Sequence, residues 1–191
     1  MATDTDTTSD TERATVLVVD DEERVADTYE MRLRDTYDTL VAYDGDDALE
    51  RVDDAIDVVL LDRRMPEPSG DEVLEEIRRQ GIDVRVVLLT AVDPDFDIVD
   101  MQCDDYVVKP VDKESLHAVV ERALKIAAYN DRMQELSSKK LKRNVLEVEL
   151  PQPELRESDK YRLLCDEIGE LEAKVGELED DLNLDDPTQY L

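Results

Sequence analysis

Aspartates, a threonine and a lysine stand at the ends of apolar runs that are otherwise free of charge. Asp20 and Asp21 follow Val16–Val19, Asp62 closes Val58–Asp62, Thr90 closes Val86–Thr90, and Lys109 closes Tyr106–Lys109. Taken singly, each suits a loop start or a cap. Taken together, they are three carboxylates, a hydroxyl and an ammonium that would meet if the runs lay side by side. Crowded carboxylates repel, and a hard divalent cation relieves the repulsion. Mg²⁺ fits best, because it takes few carboxylates and keeps waters for an incoming phosphate. A carboxylate beside such an ion can act as a nucleophile and form an aspartyl phosphate. The lysine can neutralise phosphoryl oxygens, and the threonine can hydrogen-bond to one.

That convergence requires elements that bring the runs together. Five runs, with Leu40–Tyr43 as the second, are rich in Val and Leu and lack period-two alternation, as expected of strands buried on both faces. Helical spacing separates them. Val25, Tyr29 and Leu33 recur at four-residue intervals. Ser69 and Glu72 form a capping box before Val73, Leu74 and Ile77, and Gly81 is the stop. Asp93-Pro94 starts a short fourth helix, and Asp112 caps a fifth through Leu116, Val120 and Leu124. Repeated β–α units predict an α/β fold, a doubly wound five-stranded parallel sheet with helices on both faces. In such sheets ligands bind in the crevice outside the carboxyl ends of the strands.

Composition narrows the setting. The 191 residues carry 52 Asp and Glu against 23 Lys and Arg, a formal charge of −29, with 41% hydrophobic residues. The apolar fraction is enough for a core, so a wholly disordered polyanion is excluded. A basic nucleic-acid-binding surface is disfavoured. An Asp-rich, Lys-poor chain fits solvation in concentrated salt. No run is long enough to span a bilayer, and Met1–Glu12 lacks the apolar core of a signal peptide, so a cytoplasmic location is expected. Cys103 and Cys165 have no neighbouring Cys or His, which indicates neither a disulfide framework nor a zinc site. The lone histidine, His117, reads as a helix-surface residue.

The motifs VLVVDDE (Val16–Glu22), LDRRMPEPSG (Leu61–Gly70), LLTA (Leu88–Ala91) and DDYVVKP (Asp104–Pro110) resemble those of a response-regulator receiver domain of two-component signalling. The resemblance covers residues 14–125 and implies the CheY-like, flavodoxin-like strand order 2-1-3-4-5. It implies that Asp62 is the phosphoacceptor, and that Asp20, Asp21, Asp62 and the backbone carbonyl of Arg64 hold Mg²⁺. Thr90 and Lys109 would contact the phosphoryl group, and Tyr106 would reorient with Thr90 as the switch. Ala91 would be the small residue that leaves phosphate access, and the Lys109-Pro110 bond would be cis. The implied donor is a sensor histidine kinase or a phosphotransfer protein, and the implied recipient a downstream protein. The chain would then be a phosphorelay signalling protein, and an enzyme only towards its own phosphoryl group. A phosphohydrolase would usually carry a second acid two residues after the nucleophile, where Arg64 stands. Arg63 and Arg64 depart from the family's apolar or small residues. Arg64 and Val92 occupy positions that influence dephosphorylation there, so an altered phosphoryl lifetime is expected. The acidic run Asp93, Asp95, Asp97 and Asp100 argues against that face touching DNA.

Past Lys125 the pattern changes. The fifth helix continues through Ile126, Tyr129, Met133 and Leu136 to the basic cluster Lys139, Lys140, Lys142 and Arg143, and Pro151 and Pro153 then break the chain. Tyr161, Leu164, Ile168, Leu171, Val175, Leu178 and Leu182 alternate spacings of three and four, a heptad repeat. Residues 126–191 resemble the HalX domain that follows receivers in haloarchaeal proteins. They read as a helical output or dimerisation module. The heptads either pair two chains or fold back on the fifth helix, and Glu167 and Glu172, repulsive in a parallel dimer, favour a hairpin or mixed arrangement. Two output readings stay open: a partner-binding regulator, and a transcription regulator binding DNA through these helices. The expected division is an acidic tail over 1–13, a receiver over 14–125 and a helical module over 126–191.

Overall fold

The computed structural model describes residues 13–91 and 101–182. The expected fourth helix at Asp93-Pro94, Val92, the acidic run up to Asp100 and nearly all of the N-terminal tail lie outside these residues.

Five parallel strands, β1 (Thr15–Val19), β2 (Asp38–Ala42), β3 (Val58–Asp62), β4 (Arg85–Thr90) and β5 (Asp105–Val108), form one sheet in the order β2-β1-β3-β4-β5. The expected runs sit within a residue or two of these bounds. The three inner strands are buried from end to end, apart from their first residues in β1 and β4, as unalternating Val and Leu require. The outer strands differ from expectation. β2 alternates between exposed and covered positions and β5 is only partly covered, because each is an edge with one neighbour.

The pleat sends alternate residues to opposite faces. On one face Leu17, Val19, Val59, Leu61, Val86 and Leu88 pack with side chains of α2 (Gly45–Arg51) and α3 (Gly70–Gln80), including Ala48, Val73, Leu74 and Ile77. Each such side chain contributes roughly 1.5–3 kcal/mol on burial. On the other, Val16, Val18, Leu60, Val87 and Leu89 are equally buried. Buried positions are also supplied by α1 (Glu23–Leu33) with Ala26, Tyr29 and Leu33, and by the opening turns of α4 (Lys113–Glu149) with Leu116, Val119, Val120 and Ala123. These two helices are joined by the Arg32 guanidinium, which donates to the Val111 carbonyl at 2.6 Å, and by His117, whose Nε2 lies 2.9 Å from the Arg32 carbonyl. His117 is therefore half-buried and stacked near Tyr37, and is not a plain surface residue.

The start and stop signals act as their chemistry dictates. Ser69 and Glu72 form a reciprocal capping box on α3, and Gly81 ends that helix with φ 75°. The Asp112 carboxylate accepts from the Ser115 N–H at 2.8 Å at the start of α4. Helix α2, for which the spacing gave no signal, begins at Asp44, whose carboxylate accepts from the Asp47 N–H at 2.7 Å.

The chain divides into two compact units, residues 1–123 and 124–191. In the second, α4 runs through the basic cluster to Glu149, and α5 (Gln152–Glu157) precedes α6 (Asp159–Leu182). Ile168, Leu171 and Val175 of α6 bury themselves with Leu136, and Tyr129, Met133 and Leu164 pack at their edge. Tyr129 donates to Glu179, Lys139 to Glu167, and Tyr161 to Glu147. Partners descend on one helix as they ascend on the other, so the two form an antiparallel hairpin. The heptad seam folds back within the chain.

Candidate functional site

The carboxyl ends of β1, β3, β4 and β5 bring Asp20, Asp62, Thr90 and Lys109 into one depression. Asp20 is 1% exposed, Asp62 6% and Thr90 0%. Asp21, one residue further on, faces solvent. One carboxylate oxygen from each of Asp20, Asp21 and Asp62 lies within 4.8 Å of the others. The Lys109 ammonium donates to Asp20 Oδ2 at 2.5 Å and sits 2.6 Å from Asp62 Oδ1. The remaining oxygens are held by the backbone: Asp20 Oδ1 accepts from the Glu22 N–H at 3.0 Å, and Asp62 Oδ2 from the Arg64 N–H at 3.1 Å. Both carboxylates are thus fixed in orientation before any ligand arrives.

The electrostatics are unbalanced. Burial lifts the Asp20 carboxyl above its ordinary value, Lys109 and the Glu22 N–H pull the other way, and Asp62 adds to the rise. Burial also acts against the Lys109 charge, but hydrogen bonds and attraction to Asp20 and Asp62 outweigh it, and its value rises. A single ammonium serving two buried carboxylates, with an exposed third beside them, leaves negative charge over. Oxygen donors clustered at this spacing, with an open side at Asp21, suit a small divalent cation that keeps part of its water shell.

The loop after β3 is positioned by two glycines. A Cβ on Gly70 would stand 2.2 Å from the Asp62 carbonyl and 2.8 Å from Arg63 Cα. One on Gly45 would meet the Pro68 carbonyl at 2.5 Å. Gly70 was visible in the sequence only as the end of a motif, and nothing local in Gly45 marks it. Their role depends on a backbone approach across elements. Arg63 turns from the site to Asp71 at 3.1 Å, while Arg64 is exposed at its rim.

Tyr106 is half-buried against the core on the α2–α3 side. It pairs with Leu88 in the β4–β5 register, which places it on the same sheet face as Thr90 and two residues short of it. The Lys109-Pro110 and Glu67-Pro68 bonds are cis. The Asp104 cluster has no local signature, because its partners come from distant segments. Its carboxylate accepts from Arg78 at 2.6 Å, the Val86 N–H at 2.7 Å and Arg85 at 3.0 Å, and so locks the entry to β5.

The basic cluster of α4 does not form an open patch. Lys139 pairs with Glu167 at 2.8 Å, Lys140 with Glu172 at 2.7 Å, and Arg143 lies 3.8 Å from Glu147. Cys103 and Cys165 are free thiols.

Comparison with known proteins agrees with this geometry. Residues 16–121 match the response regulator receiver domain, and residues 125–190 match the HalX domain. A Haloferax volcanii protein, provisionally named a transcriptional regulator, is 54% identical over 110 residues, which are 57% of this chain and 19% of that protein. This chain therefore spans less than a fifth of that relative. Among solved structures, the response regulator protein TrrA of Thermotoga maritima in complex with Mg(2+)-BeF is 33% identical (TM-score 0.52), over 58% of this chain and 99% of the other. The receiver domain of Francisella response regulator 1452 is 30% identical (TM-score 0.54), over 59% and 97%. With more than half of its length matched and its sheet in the corresponding order, the chain belongs to the response regulator receiver family.

Proposed function

We propose that the protein accepts a phosphoryl group on Asp62 in a Mg²⁺-dependent reaction and relays it as a change of surface. The observation that carries this reading is the buried Asp62 carboxylate held between Lys109 and the Arg64 N–H, beside Asp20 and Asp21. Asp20, Asp21, Asp62 and the Arg64 carbonyl would hold the cation. When bound, it supplies positive charge that offsets both the carboxylate cluster and the phosphoryl oxygens.

Asp62 attacks the phosphorus of a phosphohistidine on a sensor kinase or phosphotransfer protein. The phosphorus–nitrogen bond breaks, and the imidazole leaves by taking up a proton. Lys109, held charged by its two carboxylates, stabilises charge on the transferring oxygens. Water later cleaves the acyl phosphate and returns Asp62 and inorganic phosphate. Arg64, exposed at the rim, sits where it influences that step. The Thr90 hydroxyl turns to the new dianion, and Tyr106 follows on the same sheet face, so a local charge change biases a two-state surface. The chain is then a signalling acceptor and has no external substrate beyond its phosphodonor. No helix among the described residues is long and apolar enough to cross a membrane. We place its action in the cytoplasm, where kinase domains present phosphohistidine.

Mass spectrometry after acetyl phosphate and Mg²⁺ tests the assignment. The wild type gains one phosphoryl group and Asp62→Asn gains none; stable labelling of that variant elsewhere would sink it. A DNA-binding output has the name of the Haloferax volcanii relative in its favour. The pairing of Lys139 and Lys140 with glutamates opposes it. Salt-dependent retention of promoter fragments by the full chain, lost on neutralising Lys142 and Arg143, would support DNA binding over a protein partner.

A further inference from the structure

The second unit leaves an apolar stripe uncovered on the outer side of α4. Leu141, Val145 and Val148 are 65%, 53% and 80% exposed and follow the spacing i, i+4, i+7, so they line one helical face. The face packed against α6 runs through Tyr129, Met133, Leu136, Lys140 and Arg143. At 100° per residue it lies well over a quarter-turn away from the stripe. Among the described residues of this unit, only Leu136, Leu155, Ile168, Leu171 and Val175 are buried apolar side chains. A core of that size is small for a two-helix hairpin, and scaffolds of this kind commonly gain the missing burial by oligomerising.

We infer that this stripe is a pairing surface for a second copy of the chain, joined antiparallel about a two-fold axis at Val145. Two-fold pairing puts Val145 against itself and Leu141 against Val148 of the other copy. Lys142 and Glu149 flank the stripe on the same side, seven residues apart. Antiparallel pairing sets Lys142 of each copy beside Glu149 of the other, so two opposite-charge contacts form at once. Parallel pairing sets Asn144 beside Glu149 and Ser137 beside Lys142, and forms neither contact. Lys139, Lys140 and Arg143 of the same cluster are engaged within the hairpin, whereas Lys142 and Glu149 have no partner among the described residues. The polar Ser138 bounds the stripe on one side and the end of α4 at Glu149 on the other. So short a contact gives a weak dimer, micromolar and not nanomolar.

Sedimentation velocity of the full chain over a concentration series tests the surface, with circular dichroism confirming that each variant keeps its helices. The wild type is expected to shift reversibly from monomer to dimer, and Val145→Asp to remain monomeric. Lys142→Glu and Glu149→Lys singly weaken the dimer about tenfold, equivalent to about 1.4 kcal/mol, and the double reversal restores it. For orientation, Leu141→Cys and Val148→Cys chains, in a Cys103→Ser/Cys165→Ser background, crosslink when mixed and not when alone. A wild type monomeric at every concentration, a dimer indifferent to Val145→Asp, failure of the double reversal to rescue, or Leu141→Cys crosslinking to itself would each overturn the proposal.

Discussion

The two units of this chain use charge in opposite ways. At the strand ends of the receiver, the buried Asp20 and Asp62 share one ammonium, and the exposed Asp21 stands beside them with no share in it. In the helical hairpin, two lysines on α4 each meet a glutamate on α6, Lys139 with Glu167 and Lys140 with Glu172, at the solvent-facing margin. The first arrangement is electrostatically incomplete and costly in isolation, because buried carboxylates without full compensation oppose folding. The second is complete and worth little, because exposed pairs are screened and entropically loose. An unfilled demand for positive charge marks a site, and a satisfied pair marks architecture.

That contrast can be broken in graded steps. The largest effect falls on the proposed acceptor: Asp62→Asn is expected to remove acetyl-phosphate labelling altogether while near-ultraviolet and far-ultraviolet dichroism stay native, since one isosteric amide replaces the carboxylate. Next is the hairpin core, where Leu171→Ala lowers stability by about 2–3 kcal/mol in urea unfolding and leaves Asp62 labelling unchanged. A loss of labelling in Leu171→Ala would mean the two units are not separable as drawn. Gly70→Ala forces the Asp62 carbonyl to move and costs about 1–3 kcal/mol. Unlike Leu171→Ala, it slows labelling as well. Ser69→Ala removes the cap of α3 and costs about 1 kcal/mol, without touching the site chemistry.

The smallest effects belong to exposed groups. Glu72 is held below its ordinary value by hydrogen bonds from the Ser69 backbone and side chain. A lowered acid favours the folded state while ionised, so its contribution is fully present above pH 4.5, its unperturbed value, and is lost as pH falls through the depressed folded value. Urea midpoints of wild type and Glu72→Gln should therefore converge towards low pH and diverge near neutrality. Lys139→Gln should leave the melting temperature almost unmoved; a large drop would show that the hairpin pairs carry more than surface salt bridges do.

Particular residues show how far reading the chain could go. The inner strands were legible because Val and Leu buried on both faces leave an unbroken apolar run. The edge strands were read as more buried than they are, because edge position depends on which strand pairs with which. The α3 boundaries were legible because Ser69, Glu72 and Gly81 act within a few residues of themselves. Helix α2 escaped because its seven residues carry almost no apolar period, and its start rests on a single aspartate cap. His117 read as a surface residue, since its contact with the Arg32 carbonyl joins positions 85 apart.

The sequence by itself determined which residues could carry chemistry: runs of apolar residues ending in Asp20, Asp62, Thr90 and Lys109, and a strict heptad repeat from Tyr161 to Leu182. Tertiary structure decided what those residues meet. It set Lys109 between two carboxylates, brought the Gly70 backbone up against the Asp62 carbonyl, turned the heptads of α6 inward against α4, and paired Lys139 and Lys140 with glutamates of α6. The reason is range. Caps, periods and charge runs are local interactions written within a turn or two, whereas burial, backbone approach and ion-pair choice belong to segments that only folding brings together.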